Sequence, residues 1–180
     1  MNRRMFLRRA GGAVLVLGAA QVILPGANAG TADQPRRLAF VNTHTGDTFN
    51  DAYWENGAYV PGAVEAIKHV MRDHRNNTTH DIDPHLFEQL HGLNGIIGAS
   101  QPYQIISGYR SPQTNAMLHA NSDGVAAHSL HMEGKAIDIR VAGVDLSRLR
   151  DAALSMNVGG VGYYPSSDFV HFDTGRVRRW

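Results

Sequence analysis

Apolar and polar side chains alternate through Ala136-Ile137-Asp138-Ile139-Arg140, which predicts a strand over residues 135–140. Ile137 and Ile139 then point into a core, and Ala136, Asp138 and Arg140 point the other way. Similar short patterns predict strands at 38–42 and 48–54, joined by a turn at 43–47 into a small antiparallel hairpin. Further strands are expected at 104–107, and at 159–165 and 169–173, the last two joined through Ser166-Ser167-Asp168. A longer period marks the helices. Val64, Ile67, Val70 and Met71 recur at helical spacing behind Pro61, predicting a helix over 61–75. Leu86, Phe87, Leu90 and Leu93 form the stripe of a helix over 83–93, with Asp83 as its N-cap and Pro84 as its first residue. A short helix over 113–119 follows Pro112, and an amphipathic one over 146–156 follows the Asp138 strand. Residues 120–127 are small and polar, a candidate wall of a cleft. With no internal repeat, this order predicts a single α+β domain with an antiparallel sheet and flanking helices.

The first 29 residues do not fit that domain. Arg3-Arg4-Met5-Phe6-Leu7-Arg8 precedes an apolar run from Ala10 to Leu24, and Ala27-Asn28-Ala29 has the small-x-small form of a cleavage site. The run is short of the ~20 residues that span a bilayer. We read residues 1–29 as an export signal of twin-arginine type, against a general secretory signal or an uncleaved anchor. Residues 30–180 form the exported domain, which places it in the periplasm. The signal carries four arginines and no acidic residue, so the domain keeps 17 − 4 = 13 Lys+Arg against 16 Asp+Glu. That balance leaves no cationic footprint for nucleic acid and no polybasic membrane patch once the signal is removed. The chain has no cysteine, so its core, with or without a bound metal, has to hold it in place of disulfides.

An aspartate alternating with core isoleucines has to be paired, hydrogen-bonded or bound to a cation. His131 precedes the Asp138 strand, Gly134 lets the chain turn between them, and His171 sits in the second strand Phe169-Val170-His171-Phe172-Asp173. Two imidazoles and a carboxylate with an open fourth position form a common catalytic zinc arrangement. Spacing alone leaves a structural hydrogen-bonded cluster open as the alternative. His69, His74, His80, His85 and His91 have no convergent acidic partners and read as surface or helix-face residues. Asp173 shares a strand face with His171 and is a candidate partner for its imidazole N–H.

Ser129-x-His131-x-x-Gly134-x-Ala136-x-Asp138, the later His171 and the upstream Ser107-Gly108-Tyr109-Arg110-Ser111 resemble the zinc peptidases of the Hedgehog/D-Ala-D-Ala-peptidase fold. Gly159 to Pro165, Phe169 to Gly175 and Trp180 extend the resemblance to that fold's twin-arginine-exported murein endopeptidases. The resemblance implies one Zn2+ per chain on His131, Asp138 and His171. It implies Arg110 as an oxyanion or substrate clamp, where the alternative is a salt bridge to Asp138 or Asp173. It implies Asp168 as the general base, at an offset where relatives carry Glu, and the alternative is that Asp168 only ends its turn. Residues three apart on an uninterrupted strand face opposite ways, so a base at Asp168 has to sit in the turn before His171. The implied substrate is the peptide cross-link of peptidoglycan, between diaminopimelate residues or at D-Ala–diaminopimelate bonds. A D,D- or L,D-carboxypeptidase and a non-catalytic zinc-stabilised wall-binding domain are the competing readings. His128 reads as a bystander or a substrate contact.

Overall fold

The computed structural model describes residues 34–122 and 124–180, so the signal read at 1–29 lies outside the described residues. Eight strands among these form one sheet in the order β3-β2-β1-β4-β5-β7-β6-β8. β1 (Arg36–Asn42) and β2 (Thr48–Glu55) make the expected hairpin, extended by the two-residue β3 (Ala58–Tyr59). β4 (Tyr103–Ser107), β5 (Ala136–Val141), β6 (Gly160–Tyr164) and β7 (Phe169–Asp173) follow, and β8 (Arg178–Arg179) closes the far edge. The sheet is antiparallel except that β1 pairs with β4, and β6 with β8, in parallel. This is the α+β architecture of the Hedgehog/D-Ala-D-Ala-peptidase fold. Among the described residues no helix is long and apolar enough to cross a membrane.

Helices α1 (Pro61–Val70), α2 (Pro84–Ile97) and α3 (Pro112–Ala120) all open on proline, which loses nothing at a position whose N–H has no helical partner. α4 (Leu146–Ser155) follows β5. Asp83 caps α2 by accepting from His85 N at 3.0 Å. α2 also runs past Leu93 to Ile97, because Gly95 is tolerated inside it and Gly98, at φ 63°, ends it. α1 stops at Val70, short of the expected 75, where Met71 to Asp73 turn toward the site.

Directly opposed residues share a face of the sheet, so the register sorts the two faces. On one, Ile137 opposes Phe172, which opposes Val161, and Ile105 opposes Ile139, which opposes Val170. All six are buried and join a core with Leu86, Leu90 and Leu93 of α2 and Leu149 and Ala153 of α4. On the other face the row reads Ser107, Asp138, His171, Gly162. One face holds the fold together, and the other faces the cleft.

Candidate active site

Asp138 and His171 meet because they oppose each other on β5 and β7. His131 reaches them from a 3-10 turn, Leu130–Glu133, that ends at Gly134 with φ 65°. A Cβ at Gly134 would lie 1.9 Å from Asp81 O. Only glycine fits that turn. Asp83 N donates to Gly134 O at 2.9 Å, tying the turn to the start of α2.

The Ser107–Ser111 segment wraps the other side. Its backbone lies on the end of α1, with Tyr109 N donating to Met71 O at 2.7 Å. A Cβ at Gly108 would sit 2.4 Å from the same oxygen, so the close approach needs glycine there. Arg110 N donates to His131 O at 3.1 Å. The segment is anchored by buried Asp73, whose Oδ2 accepts from Ser111 N and Oδ1 from Arg75 N, both at 3.0 Å. Burial raises the Asp73 carboxyl, but hydrogen bonds from Thr114, Ser111 and Arg75 outweigh it and hold the group below its ordinary value. Its stabilisation is therefore present above pH ~4 and lost as pH falls through the folded value. In Asp73→Asn the amide NH2 faces a backbone N–H whichever way it lies. That variant should lose roughly 1–3 kcal/mol at neutral pH and show a flatter acid limb, measured by urea unfolding in EDTA from pH 3 to 7.

The hydrogen bonds decide which imidazole nitrogens face inward. His131 Nδ1 lies 2.7 Å from Gly108 O, and a carbonyl only accepts, so Nδ1 carries the proton and Nε2 a lone pair. His171 Nε2 lies 2.8 Å from Asp173 Oδ2, so in the neutral ring Nε2 is the donor and Nδ1 the lone pair. The two lone-pair nitrogens are 3.2 Å apart, and Asp138 Oδ1 lies 3.2 Å from His131 Nε2 and 2.9 Å from His171 Nδ1. Three acceptors face one another with no hydrogen between neutral rings, so a proton or a cation has to sit there. Donors about 2.1 Å from a tetrahedral zinc would be about 3.4 Å apart. The donor set fits that ion.

The field around the set is consistent with a cation. Burial opposes ionisation of Asp138, but attraction and hydrogen bonds from His131 and His171 hold it well below the carboxylate range. Burial also disfavours the His171 imidazolium, yet hydrogen bonds and charge from Asp138 and Asp173 push it up to about 9. Asp173, fully buried, accepts from Arg178 Nη2 at 2.6 Å, Gly175 N at 2.8 Å and Gly160 N at 2.9 Å besides His171. The expected His171–Asp173 bond is present.

The structure brings His131, Asp138, His171 and Arg110 together. Arg110 Nη2 is 3.5 Å from Asp138 Oδ2 and donates to Ser107 Oγ at 3.3 Å, and Nη1 donates to Asn115 Oδ1 at 3.3 Å. Its Nε is buried without a hydrogen-bond partner among the described residues. Asp168 occupies the turn before β7, as a base there requires, at a left-handed φ of 53°. Its carboxylate does not touch the triad: Oδ2 accepts from Arg140 Nη1 at 2.6 Å. Arg140 is two residues beyond Asp138, on the same strand face. Ser167 and Phe169, on either side of Asp168, line a cleft of about 490 Å³ together with the triad, Arg110 and His128.

Three contributors were not singled out from the sequence. Asn115 is buried in α3, and its Nδ2 donates to Ala126 O and Ala127 O at 3.1 and 3.2 Å, fixing the 120–127 segment as the expected cleft wall. Arg178 holds Asp173, and Arg140 holds Asp168. A lone Asn in a short helix and arginines in strands carry no local signal of such roles.

Comparison with known proteins agrees with this geometry. Residues 30–180 match the peptidase M15 family model described as "Peptidoglycan L,D-endopeptidase MepK". The peptidoglycan L,D-endopeptidase MepK of Escherichia coli K12 is 45% identical over 179 residues, covering 99% of this chain and 97% of that protein. A probable peptidoglycan L,D-endopeptidase MepK of Haemophilus influenzae is 42% identical over 148 residues, covering 82% and 80%. A sheet that pairs Asp with His, joined by a second His from the adjoining turn and by a buried arginine, in a chain similar to these along its length, has one reading: this protein belongs to the MepK family of peptidoglycan endopeptidases, hydrolases of the M15 metallopeptidase type.

Proposed function

We propose that this protein is a zinc-dependent endopeptidase that hydrolyses the L,D peptide bond of peptidoglycan cross-links in the periplasm. The observation that carries it is the ring of three inward-facing acceptors, His131 Nε2, Asp138 Oδ1 and His171 Nδ1, on the floor of an open cleft. Held by those atoms, zinc supplies Lewis acidity that polarises a carbonyl and acidifies water. The side chains do the rest. Gly108 O and Asp173 keep the two imidazoles oriented with their lone pairs toward the ion. Arg110 lines the cleft beside the triad, and its guanidinium offers charge and hydrogen bonds to the oxygen that gains negative charge. Asp168, steadied by Arg140 at the turn, takes the water proton and returns it to the leaving amine.

The cleft favours cutting within a cross-link over trimming an end. Across the strands, Arg110 and the 120–127 wall flank the triad on the β4 side, while Tyr164 and Trp180 flank it on the β6 side. Substrate therefore has walls to engage on both sides of the scissile bond. The test is digestion of defined cross-linked muropeptides by residues 30–180 loaded with zinc, with products identified by mass spectrometry. Release of two stem peptides at the L,D bond supports the proposal. Removal of single terminal residues only would make it a carboxypeptidase, and binding to sacculi without any product would make it a wall-binding module.

We also propose export by the twin-arginine route, on the strength of Arg3-Arg4 with Phe6-Leu7. Changing both arginines to lysine is expected to strand precursor in the cytoplasm, read by fractionation and immunoblot. Undiminished export of that variant would assign it to the general secretory route.

A further inference from the structure

Beside the triad, the β6 side of the cleft floor has a feature that the chemistry of hydrolysis does not use. Gly160 and Gly162 oppose Asp173 and His171 across β6 and β7, and neither brings a side chain to that face. The space over Gly162 is filled by the indole of Trp180, brought there by the parallel pairing of β8 with β6 and by Trp180 N donating to Val161 O at 3.3 Å. A Cβ on Gly162 would come within 2.7 Å of the indole ring, so the indole takes this seat only over a glycine. The indole Nε1–H donates to Tyr164 Oη at 2.6 Å, and the Tyr164 ring stacks on Phe169 at 4.6 Å between centroids. Trp180 nevertheless stays 51% exposed, and its ring centre is 5.2 Å from that of His171. A large, half-exposed aromatic, held through its indole N–H and its backbone beside the triad, is placed to meet substrate.

We propose that Trp180 is a specificity-determining residue, a shelf on which the methylene chain of the diamino acid supplying the scissile carbonyl lies. This rests on the endopeptidase reading above. The short distance to His171 rules in the residue next to the scissile bond and rules out the sugar, which lies two stem residues further away. Charge assigns the side. At an L,D bond between two diamino acids, the carbon bearing the scissile nitrogen also carries a carboxylate. That group belongs with Arg110 on the β4 flank. The uncharged methylenes of the carbonyl-side residue are left for the β6 flank, where Arg178 is already neutralised by Asp173.

The test pairs two enzymes with two substrates. One substrate is the diaminopimelate–diaminopimelate cross-linked peptide; the other has alanine in place of the carbonyl-side diaminopimelate and the same scissile bond. Trp180→Ala should raise KM about tenfold on the first with kcat little changed, the scale of a lost apolar pocket contact. On the alanine substrate the two enzymes should differ by less than about twofold. Trp180→Phe, which keeps a ring but not the hydrogen bond to Tyr164, should recover most of the lost affinity. Zinc content and melting temperature of both variants monitor a purely structural effect. Equal losses on both substrates, or a loss confined to kcat, would overturn the shelf alone. A wild-type chain that cleaves neither substrate would overturn the endopeptidase reading and the shelf with it.

Discussion

His131→Ala is expected to purify without stoichiometric zinc and to release no detectable product from cross-linked muropeptides. His131 is one of the three proposed donors, and it is 2% exposed, so no neighbouring solvent-facing side chain replaces it. Removing a group that merely orients a metal-bound imidazole typically costs about 10–100-fold in affinity, and losing a donor costs more. Asp173→Asn therefore provides the graded comparison, because it keeps the donors but disturbs the acceptor that orients His171. The two should rank His131→Ala below Asp173→Asn in metal-to-protein ratio after gel filtration. Melting in EDTA separates folding from metal binding: any difference between the metal-free wild type and His131→Ala reports the lost His131–Gly108 hydrogen bond and packing, not zinc. A His131→Ala chain that retains one zinc and normal turnover would move the catalytic site elsewhere.

The second large effect is expected at Asp168. Asp168→Asn should retain zinc and fold but lose about 10²–10⁴-fold in kcat, the usual cost of removing a general base. The substitution isolates charge from backbone, since asparagine tolerates the left-handed φ of 53° as well as aspartate does. The Arg140–Asp168 pair is substantially exposed, so its loss should change stability by no more than ~1 kcal/mol. Arg110→Ala should also keep zinc and lose about 10²–10³-fold in kcat, with KM raised as well because the same guanidinium meets the leaving-side carboxylate. Near-normal turnover in Asp168→Asn would remove the proposed base. Asp173 would not take over, because it is already held by His171, Arg178 and two backbone N–H groups, which leaves Glu133 as the next acid to test.

Local pattern determined most elements of this protein and marked His131, Asp138 and His171 as candidate donors, which the family resemblance then singled out. Alternation around Asp138 set that carboxylate against Ile137 and Ile139, and a half-buried strand has only two faces to offer. Asp83-Pro84 marked the start of α2 because capping and proline geometry act over a few residues. Contacts across large sequence separations decided the rest. Gly108 O, 23 residues from His131, selects which imidazole nitrogen faces inward, and Arg140, 28 residues from Asp168, takes its carboxylate. The parallel β1–β4 pair, the short β8 strand and the seat of Trp180 over Gly162 follow from pairing between distant segments. A two-residue strand has too little period of its own to be read from sequence. Side-chain type and spacing are properties of a few neighbouring residues, so they are written along the chain. Orientation, tautomer and partner are set by whichever distant group arrives within about 3 Å, and only the folded sheet determines that.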